Sequence, residues 1–266
     1  MLSINPFAIL ADTVSPIYMQ SFVILMLALI VVGTLLDIIH KKNVKYFFEN
    51  AKKAKLSATK TLSAGEKISV ISKTIVSDIA TTSELGAGKR RVAHLLGMYG
   101  TILFWTGSVI MIFCYSSPSS DTPSYWPIIW HVGAIMTVVG GSWFWFFLRV
   151  DVYSEAHPWY RIIKADLFVL ALIASSLFGL IWSCLQSLNL NDRWDDKAFL
   201  VLYIISNLAL FGGVYWSKFA HMFYKPGASI QKNLAEADGS RDNLPPPADA
   251  PEQYGLGIDR EKAKHY

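Results

Sequence analysis

Charge and cysteine are both scarce in this sequence. Only 17% of its 266 residues are Asp, Glu, Lys or Arg, whereas a soluble domain usually carries about 25%. Its two cysteines, Cys114 and Cys184, belong to no CxxC or CxxCH pair. This argues against a cysteine-held zinc, an iron–sulfur cluster and a covalently attached haem. A disulfide between them is conceivable, but sequence does not place them within reach of each other.

Recognisable catalytic machinery is also missing. The sequence has no nucleophile–base constellation, no phosphate-binding loop and no metal-ligand cluster, so a self-contained hydrolase or transferase has no support. It also lacks the aromatic and glycine patterns that are typical of nucleic-acid binding. The residues thus give no sign of an independent enzyme of these classes.

Long apolar runs are what the sequence has. Five windows reach the roughly 20 residues that a helix needs to cross the hydrocarbon core of a bilayer. The first is not a cleaved signal peptide, because no Lys or Arg precedes it and Lys41 and Lys42 follow it. The sequence predicts an all-α, polytopic membrane helix bundle with five transmembrane helices, at residues Ile17–Ile39, Leu95–Tyr115, Trp126–Leu148, Leu167–Leu185 and Phe199–Trp216.

The basic residues predict the orientation. Of the 24 lysines and arginines, all but Arg193 and Lys197 fall on one side of the predicted spans. The side rich in Lys and Arg faces the cytoplasm. We therefore expect the N-terminus outside, the C-terminus in the cytoplasm, and little protein on the outer face.

Two amphipathic helices are expected in the basic segment between the first two spans. Ser63 and Glu66 form a capping box that would begin the second helix, and an apolar stripe follows it. That stripe either packs on the protein's own bundle or docks a soluble subunit, whereas the first helix would lie along the membrane surface. The first helix has Val44, Phe47, Phe48 and Ala51 at helical spacing, and the second has Ile68, Ile71, Ile75 and Ile79.

The C-terminal segment changes character after Lys225. Pro226, Gly227 and the prolines at 245–247 and 251 lie among Ala, Asp and Glu, the composition of an extended linker. The short apolar stretch 254–258 would either dock on a partner or fray.

Ionisable residues in the predicted span interiors are nearly absent. Spans one, two, four and five are expected to have none, and span three has only His131. A proton relay or coupling-ion site lacks its residues, and no inverted repeat is visible, so a small-solute transporter is the weakest functional class. Glycines in spans two, three and five, such as Gly100 and Gly140, would let helices approach closely.

Four histidines are candidate functional residues: His94, His131, His157 and His221. His94 would begin span two and His221 would follow span five, both at the inner face. Two imidazoles at one depth could be the axial ligands of a haem b, but interfacial histidines also serve as polar caps. His131 would lie about 27 Å from the inner end of its helix, as a packed, hydrogen-bonded residue or a quinone contact. His157 lies in the inner loop between spans three and four.

Two stretches resemble the nitrate-reductase gamma-like membrane cytochromes. Residues 90–97 (RRVAHLLG), continued by 104–107 (FWTG), resemble their histidine-led second helix, and residues 217–226 (SKFAHMFYKP) resemble the motif that closes their last helix. Such proteins also serve heterodisulfide-reductase-like complexes. Within this group, the basic loop, the 155–159 loop and the Pro-rich tail look most like the membrane-anchor subunits of dissimilatory adenylylsulfate (APS) reductase.

This resemblance implies a role, a partner and a location. Such an anchor would lie in the bacterial inner membrane and hold the flavin and iron–sulfur APS reductase, its alpha and beta subunits, at the cytoplasmic face. It would help to pass electrons from sulfite oxidation to quinone. Fully equipped members of the group hold two haems on four histidines. Only His94 and His221 match ligand positions here, so at most one haem b, with its iron, is implied.

The sequence thus divides into an outer N-terminus with the first span (1–39), a basic amphipathic segment (40–94), a four-helix membrane region (95–217) and a flexible tail (218–266). A membrane anchor for a respiratory oxidoreductase is the leading functional prediction. A b-type cytochrome that reacts with quinone is the alternative.

Overall fold

The described residues of this computed structural model are almost entirely helical. They are residues 2–86, 88–117, 119–149, 157–188, 190, 193–217, 219, 221–240, 253–254 and 258–259. The α-helices within them are α1 (Pro6–Leu10), α2 (Pro16–Lys41), α3 (Asn43–Leu56), α4 (Ala64–Thr74), α5 (Lys89–Cys114), α6 (Tyr125–Trp143), α7 (Leu167–Ser187), α8 (Trp194–Gly212) and α9 (His221–Ala237). The remaining elements are π-helical turns at Ile75–Ala80 and Phe144–Leu148, 3-10 turns at Ser83–Leu85 and Lys164–Asp166, and antiparallel strands β1 (Gln253–Tyr254) and β2 (Ile258–Asp259).

Among the described residues, four helices are long and apolar enough to cross a membrane. By length and composition they are Pro16–Lys41, Lys89–Cys114, Tyr125–Leu148 and Lys164–Ser187. They coincide with the first four predicted spans, so the structure supports a membrane protein.

The fifth predicted span corresponds to α8, which is not among those four. Its first turn contains Asp195, Asp196 and Lys197. The apolar part that follows is about 15 residues long, or roughly 22 Å at 1.5 Å per residue. A bilayer core is about 30 Å thick, so α8 alone falls short of it.

The chain forms two compact units. Met1–His40 and Val92–Ala220 make up the first, and Lys41–Arg91 with His221–Tyr266 make up the second. We call them the membrane unit and the basic unit. The sequence predicted a separate flexible tail from residue 218, whereas in the structure residues 221–240 fold together with the 41–91 segment.

Close contact between α5 and α6 holds one side of the membrane unit together. A Cβ atom added to Gly133 would lie 2.5 Å from the backbone nitrogen of Phe104, and one added to Gly100 would lie 2.6 Å from that of Thr137. The glycines therefore let the two backbones come into close contact, as the sequence predicted for Gly100.

α2 contacts the rest of the membrane unit along one narrow stripe. Its buried residues are Met19, Met26, Gly33 and Asp37. Two spacings of seven residues followed by one of four keep them on one face of the helix. Much of its remaining surface is exposed and apolar, as expected for a helix that faces lipid.

The basic unit forms around α9. The predicted capping box is confirmed, since Ser63 Oγ accepts a hydrogen bond from the Glu66 backbone and Glu66 Oε2 accepts one from the Ser63 backbone. Asn233 of α9 donates to Thr74 Oγ1 at 2.8 Å and to Asp78 Oδ2 at 2.7 Å. Such contacts explain why the chain after Pro226 is helical rather than extended: packing against the 57–86 segment outweighs the composition of the tail.

The amphipathic stripes of the basic unit are only partly covered. On α3, Val44, Phe47 and Ala51 are half-buried, while Phe48 is 64% exposed. In the second stripe Ile68 is 65% exposed, and Ile71 and Ile79 are half-buried. Each face thus contributes to packing within its own unit and leaves some apolar surface open.

Candidate functional site

His131 is a fully buried residue of the membrane unit. Its Nδ1 lies 2.7 Å from the Pro127 carbonyl oxygen and its Nε2 lies 2.8 Å from Ser183 Oγ. Both ring nitrogens therefore already have partners on α6 and α7. This geometry favours the packed, hydrogen-bonded alternative, because a quinone could reach Nε2 only by displacing Ser183.

The other three candidate histidines belong to elements other than that of His131. His94 is exposed on α5 in the membrane unit, and His157 is half-buried in the loop that precedes α7. His221 begins α9 and belongs to the basic unit. The pairing of His94 with His221 as haem ligands stays a prediction.

An apolar cavity of about 310 Å³ lies inside the membrane unit. It is lined by residues of α1, α2, α5, α7 and α8. Nearly all of the lining is aliphatic or aromatic, and the side chains that bring polar atoms to it include Trp105, Ser108, Tyr203 and Asn207. Such a space suits an apolar molecule of modest size.

The polar atoms of Ser108 and Asn207 already form hydrogen bonds within the protein. Ser108 Oγ accepts from Trp130 Nε1 at 2.8 Å and donates to the Phe104 carbonyl. Asn207 donates to the Tyr203 carbonyl at 2.8 Å and accepts from Ser175.

The polar group of Trp105 is in a different situation from those of Ser108 and Asn207. Its indole N–H is buried and has no hydrogen-bond acceptor in the described part of the chain. The ring itself is fixed, since it stacks on Phe219 with a ring separation of 6.1 Å and contacts Phe211 at 5.2 Å.

Asp37 is a buried ionisable residue in the last turn of the first predicted span, outside the interior in which none was expected. It lies near the C-terminal end of α2 and is only 1% exposed. The sequence did not single out Asp37, because it lies two residues before the predicted end of the span and close to Lys41 and Lys42. The sequence also gave no indication of Trp105, because a tryptophan in an apolar run is usually a packing residue.

A charged cluster binds α9 within the basic unit. Glu84 accepts hydrogen bonds from Lys225 and Ser229, and Lys232 lies 3.7 Å away. The hydrogen bond from Lys225 holds the pKa of Glu84 below its ordinary value of 4.5. Hydrogen bonds, first of all from Ser83, likewise lower the pKa of Asp78.

Metal and thiol chemistry receive no structural support within the described ranges. No group of three or more His, Cys, Asp or Glu side chains there could hold a metal ion. Cys114 and Cys184 are free thiols, the first exposed and the second half-buried.

Comparison with known proteins adds no relative. No protein-family model, curated protein or solved structure matches the chain.

Proposed function

We propose that this protein is the membrane-anchor subunit of a respiratory oxidoreductase. It holds a cytoplasmic flavin and iron–sulfur enzyme at the inner membrane of a bacterium and couples it to the quinone pool. The observation that supports this most is the basic unit. A loop and a tail that are far apart in sequence fold together, which gives the protein a helical body outside its spans.

The orientation belongs to the same proposal. With α8 as a fifth span, completed by the apolar residues that follow it up to Trp216, the N-terminus is outside and the basic unit is in the cytoplasm. The distribution of lysine and arginine supports this arrangement. The exposed apolar residues of the second stripe, such as Ile68 and Ile75 at 65% and 46% exposure, then face a compartment where a soluble partner can reach them.

The identity of the partner rests on the resemblance alone. The stretches around His94 and His221 and the form of the tail favour APS reductase, its alpha and beta subunits, and hence sulfite oxidation. Quinone would be the electron acceptor.

Co-purification tests the anchor function. The tagged chain, solubilised from its native membrane in a mild detergent, is expected to bring down a flavin-containing iron–sulfur protein, detected by its visible spectrum and by mass spectrometry. Ile68→Glu with Ile75→Glu should abolish recovery of the partner. The matched control, Tyr46→Glu with Leu56→Glu, changes two exposed apolar residues of α3, in the same unit but outside the second stripe. Recovery of the chain without any flavoprotein, from membranes in which it is abundant, would refute the proposal.

A visible spectrum distinguishes an anchor from a cytochrome. Reduced-minus-oxidised spectra of the purified protein, with haem quantified as the pyridine haemochrome, report haem b directly. A signal near one haem per chain that is lost in His94→Ala and in His221→Ala would make the protein an electron-transferring cytochrome subunit. A blank spectrum from folded protein would leave an anchor whose partner reduces quinone itself.

A further inference from the structure

The cavity of the membrane unit is bounded on one side by α2. The α2 residues Phe22 and Val23 are partly buried against the core of the unit, and both also line an unfilled space. Protein interiors are normally close-packed. A space of about 310 Å³ is at the lower end of the range of small-molecule sites.

The rim of the cavity lies on the apolar surface of the membrane unit. Among the lining residues, Tyr18, Leu27 and Val109 are 69%, 54% and 41% exposed. α2 and α5, which bear them, are both helices long and apolar enough to span a membrane. A molecule dissolved in the bilayer can therefore enter from the lipid without passing through water.

One polar group of the lining lacks a partner. Ser108 and Asn207 are bonded to other protein groups, whereas the Trp105 N–H is buried without an acceptor among the described residues. Indole nitrogen only donates, and a buried donor without an acceptor is unfavourable. A ligand that supplies an oxygen acceptor near Trp105 would satisfy it.

We propose that this cavity binds one molecule of a carbonyl-bearing lipid, with its apolar body between α2, α5 and α8 and its carbonyl oxygen accepting a hydrogen bond from Trp105. Two membrane components have this chemistry: a quinone and the acyl ester of a phospholipid. The site itself does not depend on the proposed anchor function. Should the occupant be quinone, it becomes the place where that function is carried out.

The test measures ligand retention by native mass spectrometry. Purified, delipidated full-length protein is titrated with decylubiquinone in one arm and with dioleoyl phosphatidylglycerol in the other. We expect saturable binding of one molecule per chain in at least one arm. Binding of the quinone alone identifies a quinone site, and binding of the phospholipid alone identifies a structural lipid.

Three variants locate the site. Leu200→Trp and Val109→Trp fill the cavity from α8 and α5 and should each weaken binding at least tenfold. Trp105→Phe keeps the ring but removes the N–H, and should weaken binding about two- to tenfold, the effect of one hydrogen bond. Val139→Trp, on the exposed face of α6, is the matched control and should bind as the unchanged protein does.

The proposal is overturned if neither probe binds. It is also overturned if both cavity-filling variants remain folded, as judged by thermal unfolding, and bind with unchanged affinity. Co-purification of a flavoprotein with a chain that binds neither probe would refute the cavity proposal and leave the anchor function standing.

Discussion

At the scale of single residues, the Arg149 side chain is held at the end of the third predicted span by an ion pair, by hydrogen bonds to carbonyl groups and by a ring contact. It pairs with Asp166 at 2.7 Å, donates to the Arg161 carbonyl oxygen at 2.8 Å, and lies 4.0 Å above the Trp145 ring. The side chains of the ion pair are only 6% and 10% exposed. These contacts fix the 157–166 loop against the end of the helix.

Asp166→Ala should destabilise the protein strongly, because it leaves the buried Arg149 charge without its counter-ion. Removing one partner of a buried pair typically costs about 3–5 kcal/mol. The control is Asp195→Ala, which breaks the more exposed pair with Arg193 and should cost less than about 1 kcal/mol. Thermal unfolding in detergent measures both variants, and equal losses would contradict the buried pair's role.

At the scale of elements, the contact between α5 and α6 requires glycine at particular positions. Gly133→Ala should destabilise the bundle by about 1–3 kcal/mol, the usual cost of overpacking, because its Cβ would lie 2.5 Å from the Phe104 nitrogen. Gly97→Ala on α5 is the matched control, since nothing lies within 4 Å of a Cβ added there. The measurement is again thermal unfolding, and equal melting temperatures for the two variants would show that the helices are not this close.

The attachment of α9 should weaken at acid pH. Glu84 and Asp78 have pKa values below their ordinary ones in the folded unit. Their ionised forms therefore stabilise it above about pH 4.5, and this contribution is lost as the pH falls through the lowered values. Glu84→Gln should remove about 1 kcal/mol at pH 7 and reduce the pH dependence.

Hydrogen exchange of the α9 amides, corrected for intrinsic rates, measures this effect. Glu49→Gln is the control, because its pair with Lys45 is exposed and lies within α3. Unchanged α9 protection in Glu84→Gln between pH 7 and pH 4 would indicate that other contacts hold the helix.

Sequence patterns predicted the elements better than their assembly. The length of the apolar runs predicted the four long helices, and the spacing of Ser63 and Glu66 correctly predicted the start of a helix. The joining of α9 to the 57–86 segment depends on contacts such as that of Asn233 with Asp78, which span more than 150 residues. The cavity was equally invisible, because it depends on how α2, α5 and α8 assemble, and a sequence does not record an unfilled space.

At the scale of the whole molecule, the predicted orientation can be tested directly. Single cysteines introduced at Thr13 and Ser57, in a variant with both native cysteines replaced by serine, should differ in labelling by a membrane-impermeant maleimide. In intact spheroplasts we expect the residue 13 site to react and the residue 57 site to react only after permeabilisation. The reverse pattern would invert the proposed topology and place the basic unit outside.

The two-part construction of the basic unit has a consequence for biosynthesis. Its first segment leaves the ribosome well before α9 is made, and α9 follows the last apolar helix of the chain. The unit is therefore complete only when every span has been synthesised. A chain truncated before residue 221 would lack the helix that closes it. Under the proposed anchor function, a docking enzyme would therefore bind only chains whose translation has passed α9.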